Sequence, residues 1–128
     1  MPQDHDTGAA GDAFGRETAP RIAQAIGATM LGTASNEAIL DGRPIVIKSA
    51  RAQTPSVGVT HQMLERLEFV IGAFQRDDGA FEVISLPADV YRARMTETRS
   101  RGASAGGVGI VAKSVFIAEG RLISIVTL

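Results

Sequence analysis

The clearest structural signal in this chain is the stretch Asn36-Glu37-Ala38-Ile39-Leu40-Asp41-Gly42-Arg43-Pro44-Ile45-Val46-Ile47-Lys48-Ser49-Ala50. It contains two apolar runs separated by Asp41-Gly42, and Asp-Gly is the strongest short-range signal for a β-hairpin because both central residues of a type I′ turn need positive φ. Pro44 has no N–H to donate, so it must face outward or lie at a bulge. We therefore predict a β-hairpin across this stretch.

The turn sets which side chains share a face of the hairpin. A two-residue turn places Leu40 opposite Arg43, and counting back places Glu37 opposite Val46. Because side chains alternate between the faces of a strand, the two faces are predicted to be Ala38, Leu40, Ile45 and Ile47 on one side, and Ser35, Glu37, Val46 and Lys48 on the other. The first face suits a core. The second brings a carboxylate diagonally close to an ammonium, at roughly 5 to 8 Å between Cβ atoms.

A helix is predicted before the hairpin. Apolar residues recur at spacings of three and four from about Thr18 to Leu31, with Thr18 as a plausible N-cap and Gly32 as a stop. Pro20 fits such a helix only if the helix begins near Thr18.

The pattern after the hairpin predicts shorter elements. Arg51–Thr60 is expected to be a loop, with Thr60 capping a short helix, and Arg76-Asp77-Asp78-Gly79 is expected to join the strands of a second hairpin. A helix follows from Ala88 to Met95 and a loop from Thr96 to Gly109. Residues 113–119 fit either a strand or a short helix that ends at Gly120, and a strand closes the chain from Arg121 to Leu128.

Size and composition predict one α/β domain. The chain has 128 residues and no cysteine, which excludes disulfides, thiolate metal sites and a cysteine nucleophile. Residues 1–12 are too poor in apolar side chains to pack and are predicted to be a disordered leader, which leaves residues 13–128 as a single domain. Its expected architecture is a mixed sheet of four to six strands with flanking helices.

Charge and hydropathy bear on location and partners. No stretch is apolar for long enough to span a membrane and the N-terminus lacks the features of a signal peptide, so we expect a cytoplasmic protein without a membrane partner. The formal net charge is −1, but cations outnumber acids by six to two between Arg92 and Arg121. This excess fits either a local basic face or ordinary solvated surface. If the chain binds nucleic acid, the expected contacts are Arg51, Arg92, Arg94, Arg99, Arg101 and Lys113.

The order of the elements and the motif around Lys48 resemble a known nuclease family. A helix, a strand with an acid, a strand that ends Val46-Ile47-Lys48-Ser49-Ala50, and the later strands at 69–74 and 81–87 are similar to the core of the PD-(D/E)XK superfamily, the restriction-endonuclease-like fold. The resemblance covers about residues 18–95. It implies two acids that hold Mg²⁺ and a lysine that orients water or stabilises the charged phosphate during cleavage. Carried over, Glu37 is the first acid and Lys48 is the lysine, and both would be catalytic.

One position departs from the family pattern. Val46 stands where the second acid is expected, two residues before Lys48. Valine cannot ligate Mg²⁺, and one carboxylate alone binds it weakly. Either the missing ligand has moved to another element, or the fold contacts nucleic acid without cutting it. The candidate migrated acids are Glu17, Asp41, Glu65 and Glu82. If the ligand has moved, we predict that Glu17 and Glu37 hold the metal ion.

Three functions remain open on the sequence. The favoured hypothesis is a degenerate, non-cutting nuclease-like domain that binds nucleic acid, DNA rather than RNA, and needs no cofactor. A second is a homodimerisation or protein-interaction domain that pairs through its terminal strand. A third is an active nuclease that uses Mg²⁺ with a migrated acid. Beside all three stands the reading that Glu37 and Lys48 are an ordinary ion pair on a solvated sheet.

Overall fold

A computed structural model describes residues 2–32, 35–97 and 107–128, with side chains from residue 13 onward. The helices are α1 (Pro2–Ile26), α2 (His61–Leu64), α3 (Ala88–Arg94) and α4 (Lys113–Glu119). The strands are β1 (Thr29–Met30), β2 (Glu37–Leu40), β3 (Arg43–Ala50), β4 (Ser56–Thr60), β5 (Phe69–Gln75), β6 (Phe81–Pro87), β7 (Thr96–Glu97), β8 (Val108–Ala112) and β9 (Arg121–Val126).

The strands form two sheets. Six of them make a mixed sheet in the order β1-β2-β3-β5-β6-β9, in which β3 and β5 are parallel and every other pair is antiparallel. A smaller antiparallel sheet has the order β4-β8-β7. Parallel strands need a long crossover connection, and here β4 and α2 lie within it. The prediction of a mixed α and β chain with a sheet of up to six strands is confirmed.

The first hairpin forms as predicted. Asp41 and Gly42 have φ values of 53° and 77°, which are the positive values that a type I′ turn needs. Leu40 pairs with Arg43 and Glu37 pairs with Val46, so Pro44 causes no bulge and the predicted register is confirmed. The second hairpin is also confirmed, because β5 and β6 pair on either side of a turn that includes Gly79, whose φ is 91°.

The six-stranded sheet separates two apolar cores. On one side, α1 buries Ala19, Ile22 and Ala23 against a face of the sheet that includes Ile45 and Ile47. On the other side, the remaining helices and the smaller sheet bury a second set that includes Val46, Val57, Val70, Phe74, Leu64, Tyr91, Val111 and Phe116. The hairpin therefore contributes side chains to both cores. Its second face, the one with Glu37, Val46 and Lys48, is buried at Val46.

The first helix differs from its prediction. We expected it to begin at Thr18, but α1 runs from Pro2 to Ile26 and continues through Pro20. Thr18 is only 5% exposed, so it packs inside the domain instead of capping a helix. Gly27, at a φ of 83°, follows the last turn in place of the predicted stop at Gly32. The side chains of residues 1–12 lie outside the described part of the chain, and the disordered leader over residues 1–12 stays a prediction.

α1 is long but polar. It has 25 residues, yet no helix in the described ranges is both long and apolar enough to cross a bilayer.

Three segments predicted as loop or left undecided have regular structure. β4 lies inside the expected loop Arg51–Thr60, and β7 and β8 lie at the ends of the expected loop Thr96–Gly109, where each is held by pairing with a distant strand. Residues 98–106 of that loop lie outside the described residues. Residues 113–119 form α4, followed by Gly120. The predicted cap at Thr60 is confirmed, because its hydroxyl accepts a bond from the Met63 N–H at 3.1 Å.

Gly72 allows two aromatic rings to pack against the strand beside Lys48. Gly72 is the β5 partner of Lys48, and the rings of Phe74 and Phe116 meet edge to face above it with centroids 5.1 Å apart. A Cβ at Gly72 would lie 2.5 Å from Phe74 Cε2 and 3.0 Å from Phe116 Cε2. The missing side chain is therefore what lets α4 approach the centre of the sheet.

We predict that Gly72→Ala destabilises the folded state by about 1 to 3 kcal/mol, because the added methyl group overpacks a buried site whose rings have little room to move. Urea denaturation measures this change. Gly32→Ala is the matched control, since a Cβ there meets nothing within 4 Å, and its stability should be unchanged. Equal stability of the two variants would contradict the packing described for Gly72.

Candidate functional site

Glu37 and Lys48 lie on the same face at the open end of the first hairpin, the end away from its turn. Glu37 is the first residue of β2 and pairs with Val46, and Lys48 follows Val46 by two residues on β3. Lys48 is partly buried and has a polar or electrostatic interaction of its own. Its charge contributes to a lowered pKa of Glu37, so the two groups are within electrostatic range of each other.

A third residue, Arg66, holds the Glu37 carboxylate. Its Nε donates to Oε1 and its Nη2 donates to Oε2, both at 2.8 Å, and the Ser35 hydroxyl donates to Oε2 at 2.8 Å. This two-point contact is the geometry in which arginine binds carboxylates most specifically. The Glu37 side chain is 13% exposed and that of Arg66 is 53% exposed, so the pair lies at the protein surface with its carboxylate turned inward.

The electrostatic effect on Glu37 follows from these contacts. The hydrogen bonds from Arg66, helped by the Ser35 hydroxyl and the charges of Arg66 and Lys48, lower the pKa of Glu37, while partial burial acts in the opposite direction. The same pairing raises the pKa of Arg66. Glu37 is therefore ionised at neutral pH and both of its oxygens are engaged.

Arg66 reaches the hairpin because α2 ends beside it. The Thr60 cap starts α2 directly after β4, and the chain then turns, with the Arg66 N–H donating to the Met63 carbonyl at 3.1 Å. The Nη1 of Arg66 lies 3.5 Å from the Gln62 carbonyl, at the edge of hydrogen-bond range. Sequence reasoning missed Arg66, and no sequence signal could have found it, because the pair is 29 residues apart and joins separate elements.

The described residues do not fit a magnesium ion at this position. Val46, at the place of the second acid, is 0% exposed and belongs to the core. The oxygens of Glu37 accept from Arg66 and Ser35. Among residues 2–32, 35–97 and 107–128, as far as their side chains are described, no three His, Cys, Asp or Glu side chains come together as metal ligands would.

The candidate migrated acids lie elsewhere. Glu17 is exposed on α1, which packs on the face of the sheet opposite to Glu37. Asp41 lies in the turn at the far end of the hairpin. Glu82 is paired with Lys113 at 2.9 Å. Glu65 is exposed beside Arg66 and faces solvent. The structure therefore does not bring Glu17 and Glu37 together as the two ligands of one site.

The predicted basic residues are dispersed and engaged. The Arg51 guanidinium lies over the Phe14 ring, 4.4 Å from its centroid. Arg94 forms an ion pair with Glu119, and Lys113 forms the pair with Glu82. Contacts with residues of α1, α4 and β6 thus occupy these three cations at separate places. Arg99 and Arg101 lie outside the described residues.

Arg92 is the predicted cation that contacts α2. Its Nη1 donates to the carbonyl of Leu64, the last residue of α2, at 3.1 Å. Arg66 follows Leu64 by two residues. The end of α2 is therefore bound by Arg92 of α3 and is followed by Arg66, the residue that binds Glu37.

Comparison with known proteins adds no family. The chain matches no protein-family model, and no curated protein is significantly similar to it. The resemblance to the PD-(D/E)XK superfamily consequently stays a prediction.

We predict that Glu37→Gln lowers the free energy of unfolding at neutral pH and that this difference disappears in acid. Because the pKa of Glu37 is lowered in the folded state, ionised Glu37 stabilises the fold at any pH above its ordinary value of 4.5, and this stabilisation is lost as the pH falls through the lowered value. Urea titrations of both proteins from neutral to acidic pH measure it.

Glu65→Gln is the matched control, since Glu65 is an exposed carboxylate next to Arg66. It should leave stability unchanged at neutral pH. A Glu37→Gln deficit that persists unchanged at the acid end of the series would contradict the charged pairing with Arg66.

Proposed function

We propose that this domain binds the phosphate backbone of nucleic acid without cutting it, and that Lys48 and Arg66 supply the contacts. The observation that carries the proposal is the two-point bond from Arg66 to Glu37. It occupies the carboxylate that would otherwise hold a metal ion and fixes a guanidinium in its place beside Lys48.

The charge of the cluster favours an anionic ligand. Lys48 and Arg66 contribute two positive charges and Glu37 contributes one negative charge, so these three interacting groups carry a net charge of +1, and the exposed Glu65 lies next to Arg66 in the chain. Arg92 adds another cation at the end of α2. A local positive excess of this kind attracts phosphates even where the whole chain has a formal net charge of −1.

The geometry of Arg66 supports the same ligand. A guanidinium has five N–H donors, of which the bonds to Glu37 use one on Nε and one on Nη2. Nη1 lies 3.5 Å from the Gln62 carbonyl, but Arg66 is 53% exposed, so part of the fork is accessible to a phosphate. The bond to Glu37 also orients the fork in advance, and this reduces the conformational entropy that binding costs.

The residues at the two expected metal-ligand positions support binding without cutting. Phosphodiester cleavage of the predicted type needs a metal ion that neutralises charge and activates water. Buried Val46 and the engaged Glu37 supply neither a pair of ligands nor a free carboxylate. In this proposal Glu37 positions Arg66 and does not take part in catalysis. DNA is the expected ligand in preference to RNA, on the resemblance to the nuclease family.

We predict that Lys48→Ala and Arg66→Ala each weaken binding to duplex DNA uniformly across sequences. Each lost phosphate contact should flatten the plot of log affinity against log salt by about 0.9. Fluorescence anisotropy with duplex and single-stranded DNA and RNA, at two salt concentrations, measures both effects. Lys113→Ala and Arg21→Ala are the matched controls, because Lys113 is paired with Glu82 and Arg21 is exposed on α1, on the other side of the sheet.

Two results would overturn the proposal. One is the absence of binding to every probe at about 50 mM salt, where phosphate contacts are strong. The other is a loss of affinity in the Lys113 and Arg21 controls as large as that in the Lys48 and Arg66 variants, since this would place the contact outside the cluster.

Cleavage assays distinguish this proposal from an active nuclease with a migrated acid. We expect no hydrolysis of supercoiled, linear or single-stranded DNA with Mg²⁺ or Mn²⁺, because the described residues offer no metal site. Gel electrophoresis over extended incubation measures it. Metal-stimulated cleavage that Lys48→Ala abolishes would show an active nuclease and refute binding without cutting.

A further inference from the structure

The last strand, β9, is an edge strand. It is the final strand in the order of the six-stranded sheet and pairs with β6 on one side only. In the part of the chain that the structure describes, no strand pairs with its outer side. The opposite edge of this sheet is β1, which has only two residues. β9 therefore presents the longer row of backbone donors and acceptors that face away from the sheet.

Apart from Arg121 at its start, the exposed side chains of β9 are apolar. Leu122 is 54% exposed and Ile125 is 52% exposed. Leu122 lies opposite Ile84 and Ile125 lies opposite Glu82, with Ile123 as the extra residue of a bulge. Without the bulge, a spacing of three would place these two side chains on opposite faces. The bulge places both on the face that α4 covers.

α4 extends this apolar surface. Ile117 is 61% exposed and lines a groove of about 230 Å³ together with Leu122, Ile84 and Phe116. Glu82, at the same groove, is neutralised by Lys113 at 2.9 Å. Ile117, Leu122 and Ile125 thus form an apolar surface next to a sheet edge. The negative charge of Glu82 at this surface is balanced by Lys113.

The usual protection of an edge strand is weak here. Edge strands of monomers are commonly blunted by lysine, proline or an inward-pointing charge. β9 reads Arg121-Leu122-Ile123-Ser124-Ile125-Val126, in which Arg121 at its start is the one charged residue, and the bulge is the one irregularity.

We propose that β9 pairs with β9 of a second copy of this chain, antiparallel about a two-fold axis between Ile123 and Ser124. The strand is self-complementary about that point: Leu122 faces Ile125 of the partner subunit, and Ile125 faces the partner subunit's Leu122. An exchange of identical patches is what two-fold symmetry requires. The four apolar side chains meet on one face, and Ile117 of each subunit flanks them.

Charge selects the antiparallel arrangement. Parallel pairing would place the two Arg121 guanidinium groups side by side, whereas antiparallel pairing moves each to the opposite end of the interface. The occupant is an extended strand because a sheet edge is satisfied by backbone hydrogen bonds, which a helix cannot supply. This inference goes beyond the proposed nucleic-acid binding and does not depend on it, since β5 and β6 separate β9 from the strand that carries Lys48.

Mass measurements test the dimer. Sedimentation equilibrium of the full chain should give twice its mass of 13.4 kDa, and Ile125→Lys and Leu122→Lys should each give the monomer mass while retaining the circular dichroism spectrum of the parent. Leu31→Lys is the matched control, because Leu31 is 60% exposed next to β1, at the opposite edge of the sheet. It should remain a dimer.

Spin labels test the direction of pairing. The chain has no cysteine, so Thr127→Cys gives a single labelling site for distance measurement by electron paramagnetic resonance. Antiparallel pairing predicts that the two labelled backbones lie about 24 Å apart, seven residues at about 3.4 Å each, whereas parallel pairing would place them about 5 Å apart.

A monomer mass for the parent chain over the whole dilution series would overturn the proposal, as would a dimer that survives both β9 substitutions. A dimer that only Leu31→Lys dissociates would assign the interface to the other edge. Nucleic-acid binding that persists in the monomeric Ile125→Lys variant would leave the function proposal intact, so the two proposals fail separately.

Discussion

The register of the first hairpin sets the positions of both the core and the candidate site. The positive φ values of Asp41 and Gly42 close a two-residue turn, and this turn aligns Glu37 with Val46. A slip of one residue would send Val46 out of its core and carry Lys48 to the face that α1 covers. Burial of Val46 and the placement of Glu37 and Lys48 at the surface are therefore two consequences of one turn.

Local chemistry made both hairpins and the Thr60 cap predictable, because positive φ and side-chain capping are properties of a few adjacent residues. The smaller sheet was not predictable in this way, since β4, β7 and β8 are short and held by partners far along the chain. The face shared by Glu37 and Lys48 followed from the turn. Arg66 did not, because only the crossover that folds α2 back over the sheet brings it to Glu37.

In the proposed site, the Arg66 guanidinium would take the role that the resemblance to the nuclease family gives to a metal ion. A metal ion and a guanidinium can each neutralise a carboxylate, but they interact with a phosphate in different ways. A metal ion would polarise the phosphate and activate water, whereas Arg66 provides fixed N–H donors and no route to hydroxide. Val46 stands where the resemblance to the nuclease family places a second acid, and Arg66 engages Glu37; both support our proposal of a site that recognises a phosphate and leaves it intact.

The pKa of Glu37 is the most direct test of its pairing with Arg66. It can be measured by carbon-13 NMR of the labelled carboxylate in the parent chain and in Arg66→Ala, each with and without Mg²⁺. We expect a pKa of Glu37 below 4.5 in the parent, a higher pKa in Arg66→Ala, and no effect of Mg²⁺ on the parent resonance. A pKa that does not respond to the loss of Arg66, or a resonance that Mg²⁺ shifts at low concentration, would contradict this expectation.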